Sequence, residues 1–108
     1  MFRYVAVSRA LGDYSLKDFV ISTPEVRTTE LGTNDEGFLL LACDGVFDVF
    51  SNEEAVSIIQ NSWAERVTAT TMSAVQQSNI STLLARDLVE SAIQKGSRDI
   101  VTVVVCLV

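Results

Sequence analysis

Three aspartates are the residues of this chain best placed to do chemistry. Asp44 ends the apolar run of "FLLLACDGVFDVFSNEE" (Phe38–Glu54), Asp48 follows four positions later, and Asp99 opens the apolar run Ile100–Val108. Two carboxylates brought close repel each other unless one is protonated or a cation lies between them. Hard cations such as Mg2+ and Mn2+ favour oxygen ligands, and magnesium usually keeps several waters. Aspartate is also an ordinary turn residue at a strand end, so the spacing leaves both readings open. Gly45 suits a backbone that must turn sharply after Asp44. The chain has no histidine, which removes the usual general base, the usual zinc ligand and any Ser-His-Asp triad.

The elements that must position these acids are legible in outline. Arg3–Ser8, Phe19–Ser22 and Glu25–Leu31 read as extended segments, with Pro24 keeping a helix from forming. Gly32–Gly37 is a turn cluster that predicts a hairpin joining Glu25–Leu31 to Phe38–Cys43. It lacks the acid spacing of a calcium loop. Ser51-Asn52-Glu53-Glu54 is a capping box and predicts a helix from Asn52 to about Ser62, with Ala55, Val56, Ile59 and Trp63 on its apolar face. A second helix is expected from Ser81 through Leu84, Leu88, Ala92 and Ile93, stopped by Gly96. Residues 63–79, rich in serine and threonine, read either as an extension of the helix or as a surface excursion. Ile100–Val108 is β-branched and reads as a buried strand. Strands grouped apart from helices predict an α+β fold with a largely antiparallel sheet. If Phe38–Cys43 and Ile100–Val108 are antiparallel neighbours, Asp44 and Asp99 lie at one end of that sheet, although 55 positions separate them.

The 108 residues amount to about one small domain, 48% apolar, with a net charge of −6. That charge argues against nucleic acid as a partner, and no apolar run reaches the length of a membrane span. Two cysteines, Cys43 and Cys106, are too few for a disulfide scaffold. They read as small hydrophobes in strands, in a reducing intracellular setting, cytoplasmic or nuclear.

Four blocks, "VAVSRALGD" (Val5–Asp13), "PEV" (Pro24–Val26), "LLACDGVFDVFSNEE" (Leu40–Glu54) and "GSRDIVTVVV" (Gly96–Val105), occur in this order. In them the chain resembles the metal-dependent serine/threonine protein phosphatases, the phosphatase 2C-like family. The resemblance implies a pair of packed antiparallel sheets flanked by helices, of which residues 1–108 would be the C-terminal portion, so the sandwich would be incomplete. It implies hydrolysis of phosphoserine and phosphothreonine in phosphoprotein substrates by a water activated by two Mg2+ or Mn2+ ions. It makes Asp44 and Asp99 metal ligands. Asp48 then either holds a water or an additional ion beside them, or is a helix-approach cap. Arg9 and Asp13, in the first block, form a structural salt bridge or flank the site, and Phe47 replaces a tryptophan and is expected in the core.

Two departures qualify this. Ile100 stands where the family has an asparagine, removing an amide near Asp99. The remaining ligands, a glutamate and an Asp-Gly pair, and the phosphate-binding arginine have no counterpart block here. The chain alone is therefore expected to be inactive or nearly so, and to associate with itself or with the missing N-terminal part. The alternative is a truncated or pseudophosphatase module that acts by binding proteins.

Overall fold

The computed structural model describes residues 7–34, 37–69 and 74–108. They fall into two compact units, Met1–Gly32 and Thr33–Val108. In the first, a short 3-10 turn spans Tyr14–Leu16, and an isolated parallel bridge joins Arg9 to Ile21. The Lys17 ammonium donates to the Ala10 carbonyl at 2.6 Å, and Val20 is buried.

The second unit is α+β, with a two-stranded antiparallel sheet and three helices among its described residues. Strand β1 (Phe38–Ala42) pairs with β2 (Val103–Leu107), Phe38 opposite Leu107 and Ala42 opposite Val103. Between them lie a single turn, α1 (Asp44–Phe47), then α2 (Asn52–Ala69) and α3 (Ala74–Gln94). The helix starts where the capping box places it, with the Ser51 hydroxyl accepting from the Glu54 amide at 3.1 Å. Helix α3 ends in a Schellman turn. Gly96 adopts φ +103°, its amide reaches the Ile93 carbonyl, and the Ser97 amide reaches Ala92. That left-handed residue is glycine because it carries no Cβ to clash.

The core forms where α2 and α3 pack on each other and α3 packs on β2. Ala55 and Ile59 from α2 meet Ile80, Leu84, Leu88 and Ala92, a four-residue repeat along one face of α3, with Val46 and Val105 closing the cluster. Phe38 and Trp63 flank it with ring centroids 6.2 Å apart.

Several expectations need correction. Glu25–Leu31 forms no strand, and β1 takes β2 as its partner instead. The apolar side chains of that segment are exposed, so its alternation has no core to face. The expected strand over Arg3–Ser8 falls mostly on residues outside those described, and Val7 and Ser8 are not strand. The first long helix runs on to Ala69, and the second begins at Ala74, leaving Ser81 in its interior. The last strand is shorter than Ile100–Val108, and only Val105 in it is buried. The helices cover one face of the sheet. On the other, Leu39 is 56%, Leu41 50% and Val104 50% exposed. A second sheet, and hence a sandwich, is absent among the described residues. Phe47 is 40% exposed and not core, because Gly45 and Val46 are the residues α1 turns inward.

Candidate metal centre

The β1–β2 register determines where the acids fall. Beyond Ala42–Val103 the ladder continues with the Cys43 amide donating to the Thr102 carbonyl at 3.2 Å. Asp44 follows on one strand and Asp99 precedes the other, so both leave from the same end of the sheet. The backbones touch there. A Cβ built on Gly45 would lie 2.4 Å from the Ile100 carbonyl oxygen, so only glycine lets the residue after Asp44 approach the residue after Asp99 this closely.

Three further contacts join the two segments. The Cys43 thiol donates to the Ile100 carbonyl at 3.1 Å and accepts from the Thr102 amide at 3.2 Å. The Ser97 hydroxyl donates to the Gly45 carbonyl at 2.7 Å. Cys43 is thus a hydrogen-bonding residue here rather than only a strand hydrophobe. Both cysteines are free.

Asp44 is the first residue of α1 and is exposed. Its carboxylate makes no ion pair or side-chain hydrogen bond among the described residues. Asp99 is also exposed, and its Oδ1 accepts from the Ile100 amide at 2.7 Å. Asp48 closes α1, its amide donating to the Asp44 carbonyl at 2.8 Å while its side chain is exposed. Arg9 lies 4.0 Å from Glu25 and does not pair with Asp13. Asp13 instead takes φ +52° ahead of the 3-10 turn.

The donor chemistry fits a hydrated hard cation: solvent-accessible carboxylate oxygens at one sheet end, with no cationic side chain paired to either among the described residues. It also fits only part of a ligand set, because no three His, Cys, Asp or Glu side chains converge among the described residues.

A separate polar cluster lies between α2 and α3, in an open groove of about 600 Å3 that includes none of the three aspartates. Arg66 pairs with Asp87 through Nη2 at 2.8 Å to Oδ2 and 3.0 Å to Oδ1, and the Ser62 hydroxyl also donates to Asp87. Burial pushes the Asp87 carboxyl up, but the hydrogen bonds from Ser62 and Arg66 and the charges of Arg66 and Arg86 outweigh it. The group therefore titrates below the ordinary carboxylate range. Sequence reasoning missed this cluster, which joins residues 21 apart without a local motif. It also missed Ser97, whose signal was its place between the helix-stopping Gly96 and Asp99.

No helix of the described residues is long and apolar enough to cross a membrane. The family model for protein phosphatase 2C matches residues 1–101. Among curated proteins, the chain is 43% identical over 101 residues to probable protein phosphatase 2C 8 of Oryza sativa subsp. japonica, covering 94% of this chain and 25% of that protein. It is 41% identical over 101 residues to probable protein phosphatase 2C 71 of Arabidopsis thaliana, covering 94% and 19%. Over 62 residues, 56% of this chain and 19% of the relative, it is 50% identical to probable protein phosphatase 2C 61 of Arabidopsis thaliana. The chain thus spans a quarter or less of the length of these relatives. A match over nearly all of its residues places it: the chain belongs to the protein phosphatase 2C family.

Proposed function

We propose that the chain is a portion of a catalytic domain that hydrolyses phosphoserine and phosphothreonine in proteins, and that Asp44 and Asp99 are two of its metal ligands. The observation that carries this reading is the juxtaposition of the two acid-bearing segments at one sheet end, with Gly45 against the Ile100 carbonyl. Mg2+ or Mn2+, two ions in the complete family site, supply an acidified water and offset charge on the phosphoryl oxygens. Asp44 and Asp99 contribute hard anionic oxygens, and the backbone contact between their neighbours keeps the pair together. Asp48, one turn further along α1, is suited to orient water beside them. Two carboxylates do not fix a two-metal centre, so these residues by themselves turn over phosphopeptide slowly or not at all. The exposed outer face of Leu39, Leu41 and Val104 is the surface a second sheet of the sandwich would cover. The free thiols suit a reducing intracellular compartment.

A second reading, a non-catalytic module that binds proteins, is favoured by that same exposed apolar face and by the absence of a three-ligand cluster among the described residues. A chimera separates the two. The chain replaces the matching segment of an active family member, and phosphate release from a phosphothreonine peptide is measured with Mn2+. Activity lost by roughly 100-fold on Asp44→Asn and Asp99→Asn supports the catalytic reading. A folded but inactive chimera, or full activity in both variants, refutes it.

A further inference from the structure

We propose that Ser97 and Cys43 are positioning residues, a two-point latch that holds the arch carrying Asp99 against the turn carrying Asp44. The proposal rests on the reading of those two acids as ligands of one cation, and goes beyond it by assigning what sets their separation.

Asp99 lies within the segment from Ser97 to Thr102, and that segment is pinned at both ends. At one end Ser97 completes the α3 stop, its amide on Ala92, while its hydroxyl donates to the Gly45 carbonyl at 2.7 Å. At the other, Thr102 exchanges two bonds with Cys43, carbonyl to amide at 3.2 Å and amide to Sγ at 3.2 Å. The Cys43 thiol also donates to the Ile100 carbonyl at 3.1 Å. Apart from the helix-stopping bond to Ala92, every one of these bonds ends on Cys43 or Gly45, the residues on either side of Asp44. Each carboxylate therefore sits inside a segment whose flanks are tied to the flanks of the other.

The side-chain work is done by one hydroxyl and one thiol, both able to donate and to accept; here the hydroxyl donates and the thiol does both. The remaining contacts are backbone. The Ile100 side chain is 80% exposed and takes no part, so an isoleucine at that position leaves the latch intact. Ser97 also couples the arch to helix α3, because the same residue terminates the helix and bonds to Gly45. Neither Ser97 nor Cys43 needs to touch a cation; each acts through Asp44 and Asp99. Supports of this kind typically change metal affinity by about 10–100-fold when removed.

The test is a Mn2+ titration of the full 15N-labelled chain, read by paramagnetic broadening of amide signals around Asp44 and around Asp99. In the unsubstituted chain both segments broaden with one midpoint. Ser97→Ala raises that midpoint roughly tenfold and separates the two segments' midpoints, while amides of Ile59, Leu84 and Leu88 keep their positions. Ser97→Thr, which retains the hydroxyl, restores a shared midpoint. Cys43→Ala, which deletes the thiol while leaving the helix stop untouched, separates the midpoints again and serves as the independent variant should Ser97→Ala disturb the core. Broadening that Asp44→Asn removes but Ser97→Ala and Cys43→Ala leave unchanged overturns the latch alone. Absence of broadening in the unsubstituted chain, or broadening indifferent to Asp44→Asn, overturns the ligand reading beneath it.

Discussion

Replacing Gly45 by alanine tests the contact on which the site's geometry depends. The added methyl would sit 2.4 Å from the Ile100 carbonyl oxygen, 3.1 Å from its carbon and 3.2 Å from Val101 Cγ2. Carbon and oxygen ordinarily approach to about 3.3 Å, so the segments must part by roughly 1 Å. The obstruction is backbone leading into β2 and cannot rotate away. Overpacking of this kind costs about 2 kcal/mol. Parting the segments also stretches the Ser97–Gly45 and Cys43–Ile100 hydrogen bonds, worth about 1 kcal/mol each. Alanine's better helix propensity returns about 1 kcal/mol. The net loss is about 3 kcal/mol, a large share of a small domain's stability. At roughly 4–8 °C per kcal/mol for a domain of this size, Tm falls by more than about 10 °C. Urea unfolding followed by the fluorescence of Trp63, the single tryptophan, measures the change. Gly37, whose added Cβ would meet nothing within 4 Å, is the control, and Gly37→Ala should be neutral or stabilising by up to about 1 kcal/mol. If Gly45→Ala proves as stable as Gly37→Ala, the close approach of the two acid-bearing segments is refuted.

Other outcomes follow from particular contacts. Ser51→Ala removes the hydroxyl that caps the Glu54 amide and should cost about 1 kcal/mol in denaturant unfolding. Asp87 has its folded pKa lowered, so its contribution to stability is present above the unfolded value of about 3.9 and is lost as pH falls through the lower folded value. The stability gap between the chain and Asp87→Asn should therefore be steady near neutrality and shrink below about pH 4, as acid unfolding monitored by circular dichroism would register. Leu41→Lys places a charge on the exposed outer face of the sheet. It should shift sedimentation profiles toward monomer if that face drives self-association, with little change in helix content.

What was legible in the sequence was local or strongly patterned. Ser51 and Glu54 announce a helix start within four residues, and Gly96 a helix end, because caps satisfy backbone groups at fixed offsets. The pairing of β1 with β2 was legible only as a condition, since two short apolar runs of matching length, one leucine-rich and one valine-rich, can bury one face against the helices, but nothing local names their partner. The start of α3 was not. Ala74 to Asn79 carries little apolar periodicity, and Ser81 looked like a cap although it lies inside the helix. Val26 and Thr28 alternate as a strand would, yet that segment finds neither a ladder nor a core among the described residues. For the site, the two acids stood out by residue type and position. Their fastening did not, because a thiol that hydrogen-bonds across 57 positions and a serine bonded across 52 depend on the tertiary approach that the sheet creates.

The central claim is that Asp44 and Asp99 act together on one cation. Binding of Mn2+ to the full chain, measured by loss of the free-ion electron paramagnetic resonance signal, tests it directly. The account predicts weak binding that Mg2+ displaces, that Asp44→Asn and Asp99→Asn each weaken roughly tenfold or more, and that the double variant weakens little further. Binding unaffected by either substitution, or two losses that simply add as independent sites would, would contradict it.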